Sequence, residues 1–564
     1  MGKTFVCMVM SVLAFSSFAL TESVNGIEWT YTVENGEATI GDSGHSGQKG
    51  VPPLTRGAIV VPSSLGKYPV KGIGRYAFFQ CVGLESVSIP GSVDSIGEFA
   101  FCGCSMLKSV DIGLGVKSIG NHAFLNCVNL SRLDLPGSVS QIGDFAFSDC
   151  RSLKHVILPD GVTGVGDSVF ARCIRLESVT IPPSVKNIGN NAFCLCGKLE
   201  SVTVPNGVTN VGSMAFSQCI SLRSVTIPDS VVSMGDRVFI GCKELESVKI
   251  GDGVKGIGDF AFAECKKLAK LKVGKGVMSI GERAFNGCVG LVSVDLPSRM
   301  RSIGDCAFGG CTALPAIAIP AGVKRVGKAA FSVCLSLESV VVSDGVETID
   351  EYAFLGCQKL KSLKLGAGLT RIGNSAFSDC LELAELTIPA SVTGIGDHAF
   401  VNCMSIKHLT IPSKVTHIGE SAFLGCRRLE SLVVEEGNPS FKSESGLLLT
   451  KDGKTLVFAV VSGDVTIPEG VTSISDQAFC DCRGLASVTI PESVKQIGEF
   501  AFGGCLSRVI MKGNAPKCGS RAFPSRDGNL TVYVDAASKG WGVAEGEKWN
   551  GMTLRFCKNG TMGK

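Results

Sequence analysis

Cysteine is the residue type with the most chemistry in this sequence, and it is also the most regularly placed. Sixteen of the 25 cysteines, Cys81 through Cys426, stand 23 residues apart, and the phase resumes at Cys482 and Cys505 after a gap longer by 33. In an exported chain so many thiols ordinarily imply disulfides. Stacked turns would bring neighbouring Cα atoms to about 5 Å, within disulfide reach, but their side chains would run parallel rather than toward each other. A Phe stands three positions before each of these cysteines, and a Leu commonly three after. In such surroundings cysteine packs as a small hydrophobe, so the spacing predicts a buried thiol ladder. Off the ladder, Cys102, Cys194 and Cys480 share the slot after Phe and lie too far apart to pair. Cys557 has only Cys518 as a local partner, yet Cys518 takes the place of an inward Ile, which argues for burial.

The other reactive residues form no catalytic set. The six histidines, His45, His122, His155, His398, His408 and His417, show no metal-ligand spacing. His122 and His398 hold a variable slot two before Phe, and His155 and His408 an outward strand slot, so all read as scattered surface residues. No G-x-S-x-G, phosphate loop or dinucleotide fingerprint is present. Acids recur as I-G-D and I-G-E, but the same slot elsewhere holds Asn, Lys, Ser and Arg, which argues against a calcium array. The chain is read as a non-enzyme with no cofactor and no metal.

The elements that would position these residues follow from the period. Each turn reads C-x-x-L-x-x-V-x-I-P-x-x-V-x-x-I-G-x-x-A-F-x-x. V-x-I alternates as a strand does, with Val225 and Ile227 inward and Ser224 and Thr226 outward. Pro228 ends that strand because it cannot donate to a ladder. V-x-x-I-G makes a second short extended piece, and its Gly is kept in sixteen of eighteen turns, with Asp350 and Ser475 the exceptions. Such restriction implies either a positive φ or close backbone approach. A-F-x-x-C is expected to be one helical or 3₁₀ turn that folds Phe inward. One turn cannot bury its own apolar set, whereas a stack of turns can.

This turn resembles the BspA-like leucine-rich repeat, a 23-residue type of bacterial surface antigens, over about Ile73 to Phe523. The resemblance implies a curved solenoid of about 18 repeats, mainly β, with a parallel sheet on the strand face, exported or surface-displayed. It further implies suspected roles in adhesion and protein binding.

Three regions depart from the period. Residues 27–72 are expected to be an N-terminal cap containing a hairpin turned at Asn35–Gly36. The solenoid is expected over 73–505, with a hairpin insertion at about 437–466 turned around Asp452–Gly453. Residues 506–564 are expected to be a C-terminal cap. All three tryptophans, Trp29, Trp541 and Trp549, lie outside the repeats, where a Trp is more often cap core than anchor. The candidate interaction surface is Phe441, Lys451, Asp452 and Lys454 on the insertion, with Trp541 and Trp549 in the tail. The strand face itself is bland. The slot five after the ladder Cys is Ser in eleven of seventeen regular turns, and hydroxyls are poor binding anchors.

Composition bounds the function. The net charge of +3 is too small for a nucleic-acid footprint, and 45% hydrophobic against 19% charged residues describes an ordered chain. The opening residues, with Lys3, an apolar run, and Ser17 and Ala19, read as a signal peptide over 1–19, cleaved near Ala19. No later run is long and apolar enough for a transmembrane helix. Three sequons, at Asn129, Asn529 and Asn559, matter only in a glycosylating host. The expected function is an exported, adhesin-like monomer that offers an extended surface to an extracellular protein or glycan. The alternative is a structural coat or spacer without a specific ligand.

Overall fold

The structure is a computed structural model that describes residues 19–41, 49–503, 506–524 and 530–557. The expected signal segment up to residue 18, His45, Cys505, Asn529 and Asn559 lie outside the described residues. The chain forms two compact units, Met1–Leu222 and Arg223–Lys564. Each is a β-solenoid of parallel two-sheet turns, and no helix occurs among the described residues.

In the first unit, Ile27–Glu34 and Glu37–Ile40 form the expected hairpin, with Asn35 and Gly36 both at positive φ. Glu37–Ile40 then pairs in parallel with Tyr68–Ile73, which pairs with Ser95–Ile96, the first of the two-residue strands. On the opposite side Arg56–Val60, Gly83–Ile89, Ser109–Ile112 and Arg132–Asp134 make the strand face. Phe78, Phe101, Phe124, Phe147, Phe170, Phe193 and Phe216 are completely buried. Their rings stack 4.6–5.6 Å apart, and Trp29 closes the row by meeting Phe78 edge-on at 6.1 Å. Each buried Phe contributes roughly 1.5–3 kcal/mol.

The second unit repeats this arrangement from Phe239 to Phe423, with ring centroids 5.1–5.7 Å apart and planes within 10° of parallel. Eight two-residue strands, Gly256–Ile257 to His417–Ile418, form one continuous sheet. At the far end the Phe479, Phe502 and Phe523 rings lead to Trp549, which meets Trp541 edge-on at 4.8 Å.

The A-F-x-x-C segment is a string of separate turns rather than a helix. Between Gly304 and Cys311 the bonds Ala307 N–H to Gly304 O, Gly309 N–H to Cys306 O and Cys311 N–H to Phe308 O all span three residues. Cys306 and Gly310 between them sit at φ +54° and +72°, and a left-handed residue stops helical propagation. These two slots, five and one before the ladder Cys, carry the positive φ in turn after turn, whichever residue fills them. Even Ala329 and Val333 adopt it. The recurrent Gly of I-G answers to the other requirement. A Cβ on Gly304 would stand 2.6 Å from the Gly281 carbonyl carbon, so Gly is what lets these two turns approach without a shift.

Candidate functional site

No cysteine among the described residues is joined in a disulfide. The ladder thiols have a specific partner. Cys311 Sγ donates to Phe285 O at 3.3 Å, Cys334 to Phe308 at 3.4 Å and Cys357 to Phe331 at 3.3 Å, each 26 residues back. Phe308 O also accepts the Cys311 N–H at 3.2 Å, so one carbonyl serves its own turn and the next. The first unit does the same, from Cys104 on Phe78 to Cys219 on Phe193. Burial pushes these thiols up, Cys334 to about 12. A neutral, enclosed thiol is neither nucleophile nor ligand, so the ladder is packing and register rather than chemistry. Cys518 and Cys557 stand in strands of different sheets, Lys517–Cys518 and Met552–Cys557.

The I-G-D acids bond backbone. Asp259 Oδ1 accepts the Glu282 N–H at 2.7 Å, Asp305 Oδ1 the Lys328 N–H at 2.9 Å, and Asn374 Oδ1 the Asp397 N–H at 3.0 Å. Asp and Asn interchange there because the slot asks only for an acceptor oxygen. Among the described residues no group of three His, Cys, Asp or Glu could hold a metal. His155 and His408 lie on the strand face, each with Nδ1 2.9 Å from the Ser of the next strand.

The insertion is where the second unit changes. Its strands Phe441–Glu444, Leu447–Thr450 and Thr455–Ala459 form an antiparallel meander. The last of these pairs in parallel with Ser473–Ile474, so the insertion supplies an extra turn of the second sheet. Leu447, Leu449 and Leu456 are buried in the core that runs to the C-terminal end. Asn438, also buried, pins the entry by donating to Pro412 O and Val415 O and accepting from Phe441 N–H.

The strand face pays for this with an interruption. Ser431–Val434 pairs with His408–Ile411, and Gly463–Thr466 with Leu485–Ile490, but these two pairs belong to different sheets. At the interruption lies an open cleft of about 730 Å³ lined by Leu429, Glu430, Ser445, Leu447, Val460, Val461, Ser462, Asp464, Val465 and Thr466. Leu429 and Val434 are only half-buried, whereas their counterparts Leu314 and Ile319 are wholly enclosed.

The residues singled out from sequence fall into two groups. Lys451, Asp452 and Lys454 are exposed at the hairpin tip, where Asp452 Oδ1 accepts from Thr450 Oγ1 at 2.7 Å and Lys454 N–H at 3.0 Å. Phe441, Trp541 and Trp549 are 8%, 5% and 8% exposed, and their rings pack into the core. The structure does not bring the two groups into one cluster with the cleft. Sequence reasoning missed the cleft itself, whose only trace is the lack of a Cys and Phe pair at repeat spacing between Cys426 and Cys482.

The BspA type leucine rich repeat region matches in six copies, five overlapping at residues 71–199, 186–315, 233–361, 278–398 and 324–445, and one apart at 462–532. No curated protein matches the chain. Among solved structures, a leucine-rich repeat protein from Bacteroides ovatus is 28% identical, over 74% of this chain and 95% of its own, with a TM-score of 0.48. A leucine rich cell surface protein from Faecalibacterium prausnitzii is 27% identical over the same shares, with a TM-score of 0.33. A leucine-rich repeat protein from T. pallidum is 28% identical over 43% of this chain and 87% of its own, with a TM-score of 0.28.

Proposed function

Because the chain belongs to the BspA type leucine-rich repeat family, we propose that it is an exported, non-enzymatic interaction protein whose recognition site is the interruption of the strand face in the second unit. One observation carries this reading: the interruption opens a cleft of about 730 Å³ beside a strand face whose outward slots are mostly short hydroxyls. That volume falls in the range of about 300–1,000 Å³ where clefts hold ligands. The lining combines an apolar floor, hydroxyls and the two carboxylates of Glu430 and Asp464, with no His or Cys, and no metal-holding group occurs among the described residues. Export rests on the sequence of the first nineteen residues. The hairpin tip with Lys451 and Lys454 stands beside the site in sequence and is a second contact region in this reading.

Deleting the insertion is a poor test, because it would strip Leu447, Leu449 and Leu456 from the core. Ser462→Trp is better, since Ser462 is exposed and lines the cleft. Residues 20–564 would be titrated against an array of extracellular-matrix proteins and glycans beside this variant. Saturable binding lost in Ser462→Trp, with unchanged melting, supports the reading. Binding that survives the variant moves recognition elsewhere. No saturable binding by a folded sample favours the coat or spacer reading, for which the row of strand-face serines speaks.

A further inference from the structure

The interruption leaves main-chain groups in a particular pattern. In a regular parallel turn, inward residues of one strand bond outward residues of the next, as when the Leu158 N–H reaches Thr180 O. Ser431–Val434 meets its predecessor through Ser431 and Val433, so Leu432 and Val434 direct N–H and C=O to the other side. Val434 N–H finds Ser443 Oγ at 3.0 Å. Leu432 faces the gap. Gly463–Thr466 meets its successor through Val465 and Ile467, whose N–H reaches Thr489 O at 2.9 Å. Asp464 and Thr466 therefore turn their N–H and C=O toward the gap. Among the described residues no strand pairs with either edge on that side.

We infer that the gap takes an extended, lysine- or arginine-bearing segment of a partner protein, added as a strand along the Gly463–Thr466 edge. This rests on the reading of the interruption as the recognition site. Main-chain donors and acceptors repeating every second residue are matched by another main chain, which is how strand addition gains affinity. Charge then selects the sequence. The lining itself holds Glu430 and Asp464 and no Lys or Arg, while Arg427 and Arg483 stand in the adjoining hollow, so cations on the alternate positions that face Glu430 and Asp464 are favoured. Its other face meets Leu447, Val460, Val461 and Val465.

The test uses the folded chain of residues 20–564 and a capped, fluorescent hexapeptide of alternating Lys and Val as probe. A copy N-methylated on alternate residues keeps every side chain but loses the ladder donors. Thr466→Pro removes a gap-facing N–H while leaving the bonds to Leu485–Ile490 intact, and the Thr466 side chain is exposed. Saturable binding is expected to fall about tenfold or more with the N-methylated peptide and with Thr466→Pro. It should weaken about threefold in Glu430→Gln and be absent for a Glu–Val peptide. Equal binding of the N-methylated peptide, or no binding of the lysine peptide, overturns strand addition. The peptide experiment uses wild-type protein, so a folding defect in Thr466→Pro cannot decide it. If array binding is lost in Ser462→Trp while N-methylation has no effect, the site stands and strand addition falls. If array binding survives Ser462→Trp, the site itself falls.

Discussion

Two stretches of the second unit, Cys265–Cys426 and Cys426–Cys482, are built by the same rules to different ends. In the first, every turn hands its thiol proton to a Phe carbonyl 26 residues back and its Phe ring to the next ring in parallel. In the second, Cys482 reaches Ala459 O instead, and Phe458 lies 6.2 Å from Phe423 with its plane tilted by 45°. The regular stretch repeats its thiol bonds and its ring stack without a break. The interrupted stretch leaves an edge. On the reading proposed above, recognition comes from breaking the repeat, not from decorating it.

The comparison can be broken most forcefully with pH. Burial raises the Cys311, Cys334 and Cys357 thiols of the regular stretch, Cys334 to about 12, and the Cys482 thiol beside the interruption to about 11. A folded-state value above the unfolded one, near 8.5, means that the stabilisation is full below that pH and is lost as pH rises. Each enclosed thiol should cost about 1.4 kcal/mol per pH unit between about pH 9 and 11. Guanidinium melts across that range should therefore shift steeply. Replacing ladder cysteines by Ala should flatten the slope, and a profile flat to pH 11 would contradict the enclosed ladder.

Ring truncation tests the same contrast. Phe331→Ala in the regular stack should cost about 3–5 kcal/mol. Phe458→Ala, in its tilted contact beside a cleft, should cost about 2 kcal/mol, read as the difference in denaturation midpoints. Equal losses would mean that the interruption is packed as well as the stack. Close approach comes next. Gly327→Ala would bring a Cβ to 2.7 Å from the Gly304 carbonyl carbon and should cost about 1–3 kcal/mol, whereas Gly463→Ala meets nothing within 4 Å. At φ +72° the latter should lose only about 1 kcal/mol to backbone strain. The smallest effect is expected for Asp259→Ala, about 1 kcal/mol from the bond to Glu282 N–H. Asn at that position should restore it, which a thermal melt would read.

What repeats was legible in the sequence. Phe308, Cys311, Leu314 and Ile317 announce their burial because equivalent residues recur at the same phase. The Gly304 slot pointed to close approach or positive φ, and only three dimensions choose between them. The positive φ sits at slots such as Ala329 and Val333, which carry no sequence mark because the turn imposes the conformation on whatever residue is there. The insertion read as a hairpin, and a hairpin it contains. That Thr455 and Leu456 join Ser473 and Ile474, drawing the strand face apart, depends on long-range pairing that local pattern does not encode. Phe441, Trp541 and Trp549 attracted notice as aromatics outside the period, a signal shared by ligand anchors and core residues.

The thiol bond has a genetic consequence. Each one spans 26 positions wherever it occurs, from Cys104 to Cys426. Duplicating or losing 23 codons rejoins every thiol to an equivalent carbonyl, whichever turn is copied. The gene can therefore lengthen or shorten by unequal recombination in whole turns without mispairing. A segment of any other length survives only if it brings its own turn with it.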